Sequence, residues 1–340
     1  APHTDGFITY SDGINDDVNK FIWTRRGWNP DEEVAKILNQ YVRFFFGIGN
    51  AEPVTNAVIA LEKNWNGPVN ENAGIELTLS EWNRLEKEYP QLNRNWRWQM
   101  CLYRANYDAY TRRRNLYEKN LEKEANRILS CAGSIGIEQA MRQALDKVNE
   151  ADNFNVAPEL KQKIYGYADS LFLSVSLQSS VERYRASGPE RGCTLDFLDY
   201  PLNNRWWLAD EFQKVEQMST DEEKLERIKI LSEWENPGKG SYYDNVSNIA
   251  KSPHVLTTVY DATDFAWWDN GMSRKRLSTQ LFQNFPELRY TDLDPDGRYL
   301  IRVAGYGDAL LRVDGERITP VLYNKELETF KEFLIDPRYT

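Results

Sequence analysis

The chain has 340 residues, 52 acidic against 42 basic, for a net charge of −10 and a pI near 5.0. That length predicts more than one core, and the acidic balance argues against a nucleic-acid or anionic-membrane partner, since phosphate binding needs a basic face. No apolar run approaches the ~20 residues of a bilayer span, so a soluble chain without a membrane span is expected.

Neither end carries an apolar leader with a cleavage signal, so a secreted protein would stand here in processed or truncated form. Three cysteines, Cys101, Cys131 and Cys193, are too few and too scattered for a disulfide framework or a CxxC metal site. The 11 Trp and 19 Tyr are conspicuous in an otherwise polar chain. Such rings anchor cores, and they also stack on sugars, because a pyranose offers a flat C–H face to an aromatic plane.

In chain order, "FITY" at Phe7–Tyr10 is a β-branched and aromatic strand signal, and Asp12-Gly13 marks a turn. A helix is expected from about Asp16 to Arg26 with Asn15 as cap. A second is expected to start with Asn29 as cap, Pro30 in the first position and acids in the first turn, and to close at Gly47. Val34, Ile37, Leu38, Tyr41, Phe44 and Phe45 recur at helical spacing along it. Ser80 is a candidate cap for a helix over "EWNRLEKEYP".

From Arg94 to Ser130 there are 37 residues without Pro or Gly, enough for a helix of about 55 Å. Tyr103, Tyr107, Tyr110, Tyr117, Leu121, Ala125 and Ile128 mark a packing seam on it. The basic cluster Arg112-Arg113-Arg114 on this helix reads as a solvated face with i,i+4 pairs. Pro158 opens a helix expected to reach about Ala186, and Thr220 with Glu223 forms a capping box for one ending near Trp234. Residues 15–236 are therefore expected to be antiparallel helices.

After "NPGKG" the period changes to 2. Short runs such as "VLTTVYDATDFAWWDNG", "RYLIRVAGYG" and "ALLRVDGERITPVLYN", separated by Gly, Pro and Asp-Gly turns, predict an antiparallel β-sandwich. Asp292 to Gly297 matches the opening of a calcium loop, but Pro295 stiffens it and Val303 stands where the bidentate Glu belongs, so a tight turn is expected. Two histidines, His3 and His254, leave little scope for a His triad or a multi-His metal site. Acid–base chemistry would fall to carboxylates or tyrosines, and no cofactor is expected.

The stretch "YSDGINDDVNKFIWTRRGWNPDEEVAKILNQYVRFFFG" resembles the closing segment of the catalytic (β/α)8 barrel in large glycoside-hydrolase-like proteins of polysaccharide-degrading bacteria. "LEKNWNGP", "YRANYDAYTRRR", "PLNNRWWLADEF", "WENPGKGSYYDN" and "GYGDALLRVDG" are similar to the helical appendage and C-terminal sandwich of that group. The resemblance implies an α+β, multidomain chain. Residues 1–28 would be the last strand and helix of a barrel, 29–240 an α-helical domain, and 241–340 a truncated β-sandwich. It also implies a partner in the upstream barrel of the same protein, a polysaccharide or oligosaccharide ligand, and a secreted, periplasmic or cell-surface location.

Under that resemblance Ser11 and Asp12 would sit at the C-terminal end of the eighth strand, on the catalytic face. A glycoside hydrolase needs two carboxylates about the sugar, so the others would lie upstream. Further candidates for sugar contact are Trp206 and Trp207 near a helix start, Trp268 on a strand, and Tyr242, Tyr243 and Asp244 in the connecting loop. Three functions are in play: the C-terminal part of a glycoside hydrolase-like protein, a non-catalytic glycan-binding surface protein, and a polysaccharide lyase. The lyase is disfavoured because neither histidine falls on a helix.

Overall fold

The computed structural model describes residues 8, 16–189, 192–246, 252–256, 287–304, 307–309, 311–318, 322–324 and 330–339. They divide into two compact units, residues 1–232 and 233–340. Ser11, Asp12 and Trp268, the strands expected between 257 and 286, and the strand expected at Phe7–Tyr10 apart from the exposed Ile8, fall outside the described residues.

The first unit is helical, as its sequence period demands. α1 (Asp16–Trp28), α2 (Val34–Phe46), α3 (Glu52–Lys63) and α4 (Gly74–Glu88) precede the long α5 (Trp96–Ser130), which packs against α3, α4, and the later α7 (Ile137–Asn153) and α8 (Pro158–Val175). The short α6 (Ala132–Ile135) and α9 (Val181–Tyr184) connect, and α10 (Arg205–Glu216) and α11 (Asp221–Ser232) close the unit. Its core gathers Trp82, Trp98, Tyr41, Leu85, Leu102, Ile164 and Leu171. Trp98 meets Phe46, Trp82 and Tyr89 edge-on, the arrangement that ring quadrupoles prefer.

Helix ends explain where the spacing succeeded and where it slipped. Asn95 caps α5, its Oδ1 accepting from the amides of Arg97 and Trp98. Thr220 and Glu223 form the expected reciprocal box, and Gly47 closes α2 in the left-handed region at φ 67°. Asn29, however, caps nothing: its Oδ1 takes the Asp31 amide in a local turn, and α2 begins only at Val34. Ser80 lies within α4, which starts six residues earlier at Gly74. The helix from Pro158 stops at Val175, where Ser176 turns left-handed.

α1 docks on α2 through Phe21, whose ring meets Tyr41 and Phe45 at 5.5 and 5.9 Å. Asp17 binds the Tyr41 hydroxyl at 2.6 Å and the Arg97 guanidinium at 2.7 Å. The helix assigned by resemblance to a barrel is thus packed within the helical unit. Arg112 and Arg113 reach Glu76, but Arg114 is buried and donates to the Leu198 and Tyr200 carbonyls, so that cluster is only partly a solvated face.

The second unit corrects the expected fold class. Its described strands are β1 (Leu300–Ala304), β2 (Gly307–Ala309), β3 (Arg312–Val313), β4 (Glu316–Arg317), β5 (Leu322–Asn324) and β6 (Phe330–Leu334). They form three two-stranded antiparallel pairs, β1 with β6, β2 with β5 and β3 with β4, nested about the turn at Asp314-Gly315. Both turn residues have positive φ, as a tight hairpin requires. No β-sandwich is evident among the described residues, which are predominantly helical, so the expected helical-plus-sandwich class is corrected to a mostly helical one with small two-stranded pairs.

The physical reason is visible in β1. Ile301 and Val303 are part-covered and Arg302 is exposed, so the alternation correctly marks a strand and its inward face. Alternation does not, however, supply the second sheet that a sandwich stacks about 10 Å away. The calcium-like stretch is a turn closed by Gly297 N–H to the Asp294 carbonyl at 2.9 Å. No helix among the described residues is long and apolar enough to cross a membrane.

Candidate functional site

Of the aromatic candidates, Trp207 is a core side chain, and Trp206, half-buried on α10, meets Tyr200 edge-on at 4.9 Å. Their helix start is held by a charge cluster. Glu118 on α5 is only 2% exposed; it accepts from the Leu202 and Asn203 amides at 2.7 and 3.3 Å and from Arg205 at 2.8 Å, and also pairs with Arg114. This network fixes the 198–205 loop and presents no carboxylate to solvent.

The loop candidates converge on a different feature. Gly238 and Gly240, at φ 108° and 78°, turn the chain after the last helix in a way that residues with a Cβ rarely adopt. The strand-like segment beyond then folds back so that Val255 bridges Leu288, with Leu256 N–H donating to the Glu287 carbonyl at 2.7 Å and Arg289 N–H to that of His254 at 2.8 Å. These backbone bonds bring Tyr242, Asp244, His254 and Tyr290 together.

Asp244 is the centre. Its carboxylate is 3% exposed and takes His254 Nδ1 at 2.9 Å, the His254 amide at 3.2 Å and the Tyr290 hydroxyl at 2.9 Å. The three rings lie mutually at 4.8–5.2 Å between centroids, Tyr242 edge-on to His254 and tilted against Tyr290. Tyr242 and Tyr290 each keep 39% of their surface exposed, and the Tyr242 hydroxyl donates to the Thr291 carbonyl at 3.0 Å. Burial, and then the adjacent Asp244 charge, pushes the Tyr290 hydroxyl above the ordinary tyrosine range.

The arrangement has defined chemistry. The Asp244 carboxylate can only accept, so Nδ1 donates to it and Nε2, which has no partner among the described residues, is the nitrogen that faces away from the acid. A buried acid thus orients an imidazole beside two half-exposed phenol rings. Tyr243 is half-buried beside this cluster in the sequence. No group of three or more His, Cys, Asp or Glu able to hold a metal occurs among the described residues.

Sequence reasoning named Tyr242 and Asp244 but missed His254 and Tyr290. The signal for His254 was a lone loop histidine ten residues after an aspartate, too common a spacing to single out. Tyr290 lies 46 residues from Asp244 and carried none. Compared with protein-family models, curated proteins and solved structures, the chain matches none.

Proposed function

We propose that this chain is the glycan-recognising C-terminal part of a carbohydrate-active, glycoside hydrolase-like protein that acts on a complex polysaccharide outside the cell or at its surface. The observation that carries the reading is the Tyr242–His254–Tyr290 cluster on its buried Asp244. Half-exposed rings fixed by hydrogen bonds at their polar ends offer C–H stacking faces at little entropic cost, which is what a sugar-binding surface needs.

The test is binding of the chain to a panel of soluble polysaccharides by affinity electrophoresis. Tyr242→Ala and Tyr290→Ala are expected to weaken retention by roughly tenfold, the order expected from losing an aromatic stacking contact. Trp206→Ala, on a ring packed against Tyr200, serves as the control and should leave retention unchanged. If both tyrosine variants bind as the parent does, the cluster is a structural staple only.

One observation favours a second reading, the polysaccharide lyase. In β-elimination a base removes the proton at C5 of a uronate while the C4–O glycosidic bond breaks and its oxygen leaves protonated, and His254, held at Nδ1 by Asp244 with the Tyr290 hydroxyl on the same carboxylate, has the chemistry of such a base. Absorbance from an unsaturated uronate product, lost in His254→Ala, is the result that would move the function to that class.

A further inference from the structure

A second surface, on the helical unit, has a different construction. The α1–α2 turn leaves an open groove of about 440 Å³ lined by Arg25, Trp28, Asn29, Glu32, Lys36 and Gln40, within the size range of small-ligand sites. Its floor is rigid. Glu32 is 8% exposed, takes Arg25 Nε and Nη2 at 3.1 and 2.6 Å, and through its carbonyl accepts Arg26 Nη1 at 3.2 Å. The Arg25 hydrogen bonds hold the Glu32 carboxyl below the usual carboxylate range against its burial.

One wall is Trp28, which is 89% exposed although it is among the largest apolar side chains. Exposure of that degree leaves an indole face open for stacking. The other wall is α2, where Lys36 and Gln40 stand one turn apart on the same face. With Arg25 neutralised by Glu32 in a bidentate pair, Lys36 supplies the groove's one net positive charge. The Lys36 ammonium feels the Glu32 carboxylate one turn before it but makes no hydrogen bond among the described residues, because Arg25 holds both Glu32 oxygens, and Asn29 uses its Oδ1 on the Asp31 amide, leaving its Nδ2 for a ligand.

We propose that this groove binds a uronic-acid unit of a glycan chain, the ring stacked on Trp28, the carboxylate on Lys36, and ring hydroxyls on Asn29 and Gln40. A neutral pyranose would satisfy the indole and the amides but leave Arg25 and Lys36 sharing the single Glu32 carboxylate, and a simple anion would leave the indole face bare. Both features together select an acidic sugar. The inference rests on the carbohydrate reading above but on different residues, in the other unit.

The experiment is calorimetric titration of the whole chain with oligogalacturonate, and with a neutral oligosaccharide of equal length, at low and high salt. The acidic oligosaccharide is expected to bind at least fivefold tighter than the neutral one at low salt, with the preference shrinking as salt screens Lys36. Trp28→Ala should lower affinity for oligogalacturonate about tenfold. Lys36→Gln should erase the preference while leaving neutral binding unchanged. Both side chains are exposed, so neither change threatens folding.

Equal affinity for the two oligosaccharides, or acidic binding that survives both substitutions, overturns the groove. If that binding instead disappears in Tyr242→Ala, the uronate belongs to the other cluster and the carbohydrate reading stands without the groove. If no oligosaccharide binds and the polysaccharide panel is also negative, both readings fall.

Discussion

At the scale of single residues, burial rather than exposure sets the chemistry. Cys101, inside α5, has its thiol pushed up to about 12 by burial, and Tyr103, whose hydroxyl meets Thr194 Oγ1 at 2.7 Å, is likewise raised to about 12 by burial. Both values lie above the ordinary 9.0 and 10.0, so the folded chain keeps protons that the unfolded chain has already released. Stability from these groups is therefore full below about pH 9 and falls as pH rises toward about 12. The expected outcome is a melting temperature lower by roughly 5 °C or more at about pH 11 than at about pH 8, measured by circular dichroism. Tyr103→Phe should flatten part of that slope. An unchanged melting temperature across the window would mean that these groups ionise without opposing the fold.

At the scale of elements, the same helix carries the strongest polar constraint. Arg114 and Glu118 are one turn apart on α5, a spacing that on a surface contributes about 0.3–0.5 kcal/mol. Here Glu118 also anchors two loop amides and Arg205, which in turn reaches Asp152 at 2.8 Å. Replacing Glu118 by Gln keeps the shape but takes the buried counter-charge from two buried guanidinium groups, leaving Arg114 only the Leu198 and Tyr200 carbonyls and Arg205 the more exposed Asp152, so a loss of about 3 kcal/mol is expected in urea unfolding. Arg84→Ala, which breaks the exposed pairs with Glu81 and Glu88, should cost less than about 1 kcal/mol. Equal effects would show that Glu118 is solvated in solution. The sequence made α5 legible through its unbroken length and its Tyr and Leu spacing, but it hid this cluster, because Arg and Glu four apart read as a solvated pair until the 198–205 loop is folded over them.

At the scale of the whole molecule, the helical unit was readable because each helix announces its own period, caps and core face locally. Thr220 with Glu223 and the run from Trp96 to Ser130 needed no tertiary information. The second unit was not, because the antiparallel pairing of β1 with β6 joins segments about 30 residues apart in sequence, and alternation at Ile301 and Val303 says which face turns inward without saying what covers it. His254 and Tyr290 belong to the candidate site for the same kind of long-range reason. The helical core has a further consequence. Trp82, Trp98, Phe46, Leu102, Ile164 and Leu171 form one contiguous cluster drawn wholly from residues 1–232, and a contiguous core is what makes a segment cooperative by itself. The chain cut after Ser232 is therefore expected to fold alone, with helical circular dichroism and a single cooperative thermal transition. It should also retain oligogalacturonate binding in the Trp28 groove while losing any binding that depends on Tyr242. A broad, non-cooperative melt of that fragment would show that residues 233–340 complete the core, and would make the two units one folding domain.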